Sequence, residues 1–148
     1  MKGETPMNQD SKTRLLFVCV ENAGRSQMAE AFARRKGLLA ESAGTMPAES
    51  VNLAVVEVMT EKAFNLSLRK PKMLTTEMIN QADVVITMGC SVEEVCPRPM
   101  LAKMQKKLID WNLEDPKGKS LPEVRRIRNE IERRVEELAR PTDGIARP

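Results

Sequence analysis

Residues Arg14 to Ser26 read RLLFVCVENAGRS, and the fold is decided there. Leu15, Leu16, Phe17 and Val18 form a short apolar run with the length and side chains of a strand buried on both faces. The run ends at Cys19. Asn22, Ala23 and Gly24 follow, and such residues let a backbone curl tightly. From Ser26 the sequence SQMAEAFARRK has helical composition, and Gly37 is its stop. The order is strand, tight loop, helix, with a cysteine where the strand ends and Arg25 where the helix begins.

That order suits an oxyanion. Successive N–H groups in a tight loop form a concave nest, and the start of a helix adds partial positive charge at the same place. Val20, Glu21, Asn22, Ala23, Gly24, Arg25 and Ser26 are the residues expected to cradle the anion. Arg25 contributes a planar, permanently charged fork. A cysteine after an apolar run is ordinarily a core residue. Here the spacing to Arg25, the small loop residues and Ser26 turn the reading toward an activated thiolate nucleophile.

Outward from this stretch, strands and helices alternate. Residues 38–43 read as a second strand closing at Gly44, and Ser50 as the cap of a helix over 51–64. Residues 66–74 read as a loop, and Thr75 caps a short helix through Asn80. Residues 83–88, DVVITM, are the clearest strand signal, bounded by Gly89 and followed by Cys90. Cys96-Pro97-Arg98-Pro99 ends that segment, since proline opposes regular structure. Residues 107–111 read as a fourth strand leading to Asp115-Pro116. Ser120 with Glu123 forms a capping box, opening a helix to about Arg140. Val124, Ile127, Ile131, Val135 and Leu138 lay one stripe on the core, and the Arg- and Glu-rich remainder reads as a solvated face.

The pattern predicts an α/β three-layer sandwich around a four-stranded parallel sheet. A single catalytic domain over 14–140 is expected, between a disordered tail over 1–13 and a loose tail over 141–148. Ligands bind beyond the carboxyl ends of such strands. Cys19, Cys90 and Asp115 all follow apolar runs, so they are expected on one edge.

Composition narrows the function classes. The chain has 148 residues and a net charge of +3, from interleaved Lys/Arg and Asp/Glu rather than a basic block. With one Trp, three Phe and no Tyr, stacking on nucleic-acid bases is poorly supplied. No apolar run is long enough to span a membrane and no signal-peptide pattern is present, so a cytoplasmic protein is expected. There is no His, which removes histidine bases and imidazole ligands. Cys19, Cys90 and Cys96 offer neither the number nor the spacing of a structural zinc site, and no metal or cofactor is expected.

Cys19-x5-Arg25-Ser26 directly after the first strand, with Asn22 inside it, resembles the phosphate loop of the low-molecular-weight tyrosine phosphatase superfamily. Ser42-Ala43-Gly44 and Trp111…Glu114-Asp115-Pro116 match further landmarks of that family. Within it, Cys90-Ser91-x4-Cys96-Pro97 is similar to the thioredoxin-coupled arsenate reductases, which keep two more redox cysteines there. The resemblance implies that Cys19 attacks arsenate held by the loop and Arg25, while Asp115 protonates the departing oxygen. It implies that Cys90 then displaces arsenite by forming a disulfide with Cys19, and that Cys96 resolves it for thioredoxin to reduce. Phosphate and sulfate are implied as competing anions.

Two departures are visible: the Cys90–Cys96 interval is one residue shorter, and Gly24 stands where a further cysteine is common. The alternative is a phosphatase hydrolysing phosphate monoesters through a cysteinyl-phosphate, and a non-catalytic oxyanion sensor is a third class. Some arsenate reductases bind potassium beside the phosphate loop. The resemblance puts Lys72 in place of the Asp used there, with Asn22, Glu30 and Ser42 around it.

Overall fold

The computed structural model describes residues 13–89 and 108–139. Strand β1, Arg14–Cys19, occupies the centre of a sheet whose other strands are β2, Leu39–Gly44, β3, Val84–Thr87, and β4, Leu108–Asp110. Their spatial order is β2-β1-β3-β4, and every neighbouring pair is parallel. Parallel neighbours need crossover connections. Helix α1, Arg25–Arg35, links β1 to β2, while α2, Leu53–Thr60, and α3, Thr76–Gln81, lie between β2 and β3. Helix α4, Leu121–Ala139, follows β4.

The pleat of β1 explains the layers. Leu15, Phe17 and Cys19 join a core with Met28 and Phe32 of α1, Val55 and Val58 of α2, and Val124, Ile127 and Ile131 of α4. Leu16 and Val18 point the other way, into a smaller core with Ile79 of α3 and Leu74. A strand covered on both faces has no polar face to alternate with, which is why β1 reads as a continuous apolar run. The fold is the expected α/β sandwich.

Boundaries differ where tertiary contacts decide them. Helix α2 is capped by Asn52, whose Oδ1 accepts from Ala54 N at 2.8 Å, and not by Ser50. The Asn52 N–H is itself bonded to the Ala23 carbonyl, so the Cys19 loop sets where this helix starts. It stops at Thr60, because Ala63 adopts a left-handed φ of 71° and the N–H of Phe64 turns back to Met59 O. Strand β4 spans three residues rather than five. The capping box of α4 is present: Ser120 N donates to Glu123 Oε1 at 3.1 Å, and Glu123 N to Ser120 Oγ at 3.4 Å. One residue of its charged face is buried, Arg128, which the pattern had assigned to solvent.

Candidate active site

The loop from Cys19 to Arg25 owes its shape to bonds made outward. The carbonyls of Cys19, Val20, Glu21 and Ala23 accept from the N–H groups of Thr45, Met46, Ala48 and Asn52. With those carbonyls turned out, loop N–H groups turn in, and Asn22 N donates to Cys19 Sγ at 3.2 Å. Asn22 adopts φ 52°, a left-handed conformation that asparagine tolerates better than most residues. Gly44, paired with Cys19 in the sheet register, lies against the back of the loop, where a β-carbon would meet Val20 O at 2.5 Å.

Cys19 sits 3% exposed at the base of the loop, with its sulfur 2.9 Å from Ser26 Oγ. A buried polar network fixes that hydroxyl. Asn22 Nδ2 donates to Ser26 Oγ at 2.8 Å and to Ser42 Oγ at 2.9 Å, and Ser42 Oγ donates to Glu30 Oε1 at 2.6 Å. Asn22 Oδ1 accepts from Lys72 N at 2.8 Å and from Gln27 Nε2 at 3.1 Å.

Arg25 is 6% exposed and is aimed by two carbonyls. Its Nη1 donates to Met88 O at 2.9 Å, just past β3, and to Leu113 O at 2.8 Å, past β4. Its Nε is buried without an acceptor among the described residues. Buried donors are ordinarily satisfied, so this one fits an anion in the cavity beside it. Asp115 comes within 3.7 Å of Arg25 Nη2 and is largely exposed, at the mouth. Lys117 Nζ pairs with Glu21 Oε2 across that mouth at 3.1 Å. The cavity measures about 260 Å³, is floored by Cys19 and Arg25, and has no aromatic side chain among its described lining residues.

Of the expected site residues, Val20 to Ser26, Cys19 and Asp115 therefore converge on one sheet edge. Cys90 and Cys96 lie outside the described residues. Arg69 and Gln27 were not anticipated. Gln27 sits inside a helix and Arg69 in a loop, and neither belongs to a spacing that marks a site.

The resemblance reserves a position beside Asn22, Glu30 and Ser42 for an alkali cation. Glu30, 1% exposed, is paired with Arg69 Nη2 at 2.8 Å and Arg34 Nη2 at 3.1 Å. Lys72 meets Asn22 through its backbone N–H. Two guanidinium groups already outweigh the charge of the one carboxylate, and a potassium ion does not fit this charge arrangement.

The model of the low molecular weight phosphotyrosine protein phosphatase family matches residues 14–146. The chain belongs to that family. Among its relatives, a putative arsenate reductase of Halobacterium salinarum is 42% identical in an alignment 140 residues long that covers 89% of this chain and 94% of the relative. The thioredoxin-dependent arsenate reductase of Corynebacterium glutamicum is 38% identical, with a TM-score of 0.67 over 86% of this chain and 60% of that one. An arginine phosphatase from Geobacillus stearothermophilus is 27% identical, with a TM-score of 0.76 over 86% of this chain and 90% of that one. Family members thus share this fold between reduction and hydrolysis. No described helix is long and apolar enough to cross a membrane.

Proposed function

We propose that the protein is a cytoplasmic arsenate reductase regenerated by thioredoxin. The observation that carries the reading is the pairing of a recessed anion site, Cys19 with Arg25, with two further cysteines in the sequence, Cys90 and Cys96. Ester hydrolysis needs one nucleophile, whereas two-electron reduction needs a thiol relay. The arsenate reductases among its relatives support the same choice.

In this mechanism arsenate enters the loop, its oxygens taking the inward N–H groups and the spare Arg25 Nε. The Cys19 thiolate attacks arsenic while Asp115 protonates the departing oxygen, which leaves as water. The Cys90 thiolate then attacks Cys19 Sγ. A sulfur–sulfur bond forms, the sulfur–arsenic bond breaks with its electron pair going to arsenic, and arsenite departs. Two thiols have been oxidised and arsenic(V) reduced to arsenic(III). Cys96 attacks Cys90, freeing Cys19, and thioredoxin reduces the Cys90–Cys96 disulfide. Phosphate and sulfate compete because they share charge and tetrahedral shape.

The second reading, a phosphatase, uses the same loop and the same acid and is favoured by the family the chain belongs to. The absence of aromatic walls among the described lining residues argues against a phosphotyrosine substrate. The deciding experiment is a recycling assay with reduced thioredoxin and arsenate, beside hydrolysis of a small aryl phosphate. Cys90→Ser is expected to abolish multiple-turnover reduction and spare any hydrolysis, while Asp115→Asn slows both by about 10²–10⁴. Equal loss of both activities in Cys90→Ser would refute the relay.

A further inference from the structure

We infer that Lys117 and Glu21, paired across the mouth of the Cys19 cavity, are specificity-determining residues that restrict the site to small, unesterified oxyanions. Their side chains are exposed, but both stems are held. Glu21 lies in the anion loop, and its carbonyl accepts from Ala48 N at 3.0 Å. Lys117 follows Asp115-Pro116, and its N–H donates to Asp115 Oδ1 at 3.0 Å. Pro116 is buried. A β-carbon at Gly24 would meet Pro116 Cγ at 3.0 Å, closer than carbon atoms ordinarily pack. The missing side chain at Gly24 therefore lets the Asp115 loop rest directly on the anion loop, and from there Lys117 Nζ reaches Glu21 Oε2 at 3.1 Å.

The restriction rests on the proposed function, in which Cys19 attacks from the floor and Asp115 protonates the departing oxygen at the mouth. In-line displacement sends that oxygen outward. From arsenate it leaves as water. From an ester it carries an organic group, which has to pass where Lys117 meets Glu21. The cavity of about 260 Å³ is smaller than the roughly 300–1,000 Å³ of ordinary small-molecule pockets. No aromatic side chain among its described lining residues offsets the displacement of an ion pair. The pair also acts through charge: an unpaired carboxylate at Glu21 would oppose every incoming anion, and Lys117 cancels it.

The test compares two anions that share one headgroup and differ in bulk. In reduced protein, iodoacetamide labelling of the Cys19 peptide is followed by mass spectrometry, and methylphosphonate and benzylphosphonate are each titrated as protectants. Methylphosphonate is expected to halve the labelling rate at a several-fold lower concentration than benzylphosphonate. Charge alone moves both probes together, strengthening them in Glu21→Gln and weakening them in Lys117→Ala, and leaves their ratio unchanged. Loss of the bridge narrows the ratio in both variants, by up to about fivefold, the scale of one exposed ion pair. Lys117→Arg, which retains the charge that pairs with Glu21, should keep the wild-type ratio. An unmoved ratio in either Glu21→Gln or Lys117→Ala, or equal protection by the two probes in wild type, overturns the restriction and leaves the oxyanion site standing. If inorganic phosphate and both phosphonates all fail to protect wild-type Cys19, the oxyanion site falls and the restriction falls with it.

Discussion

At Gly44 a β-carbon would stand 2.5 Å from Val20 O and 2.9 Å from Asn22 N, both backbone atoms of the nucleophile loop. Neither can rotate aside as a side-chain tip could, so Gly44→Ala has to push the loop. Displacements near 1 Å can cost about 10² in rate at a reacting centre. At Gly37, by contrast, nothing lies within 4 Å of the same atom, but φ is +86°. Gly37→Ala is expected to lower the melting temperature through backbone strain while leaving Cys19 labelling and its protection by phosphate unchanged. Gly44→Ala should weaken that protection by tenfold or more, measured as the phosphate concentration that halves the labelling rate. Equal protection in the two variants would mean that the loop does not rest on β2. Sequence alone could mark Gly44 as the end of a strand, but not the carbonyl behind it, because the approach joins residues 24 positions apart.

Helices α2 and α4 meet through charge as well as apolar contact. Val124, Ile127, Ile131 and Val135 are buried, as their spacing predicts. Beside them the buried Arg128 donates from Nη1 to Val58 O at 2.9 Å and Glu61 Oε1 at 2.7 Å, where a cation complements the carboxyl end of α2. Arg125 Nε reaches both Glu61 oxygens at 3.0 Å. Arg125 first, and then Arg128, lower the Glu61 carboxyl to about 2. A carboxyl depressed on folding contributes stability that is fully present above its ordinary value, near 4.5, and is lost as pH falls toward 2. Melting temperature is therefore expected to fall more steeply across that window in wild type than in Glu61→Gln, and parallel curves would contradict the clamp. The apolar stripe of α4 and the strands β1 and β3 were legible because burial imposes a period or an unbroken apolar run. The start of α2 and the burial of Arg128 were not, because a partner from another element decides each.

Over the whole molecule, the order β2-β1-β3-β4 gathers the ends of separate strands at one place: Cys19 and Gly44 directly, Met88 and Leu113 through their hold on Arg25. The residues proposed to carry the chemistry were readable from spacing, since Cys19 ends a strand and Arg25 and Asp115 each follow one. Their supports, Met88 O, Leu113 O and Arg69, were not, because backbone carbonyls and loop cations leave no pattern in sequence. Under the proposed function, an anion held by Arg25 would tie the Cys19 loop to the segments that hold Arg25, at Met88 and Leu113. A ligand that binds only the folded state stabilises it by mass action, about 2.7 kcal/mol at a hundred times its dissociation constant. For a chain near this size roughly 2–4 °C accompanies each kcal/mol, so phosphate is expected to raise the melting temperature by about 5–11 °C. Phosphate also stabilises proteins generally by exclusion from their surface, an effect that grows without saturating. The site-specific part is the saturable component, and Arg25→Ala should remove it while keeping the unsaturated slope. A saturable rise of equal size in Arg25→Ala would place the anion elsewhere and separate Arg25 from the site.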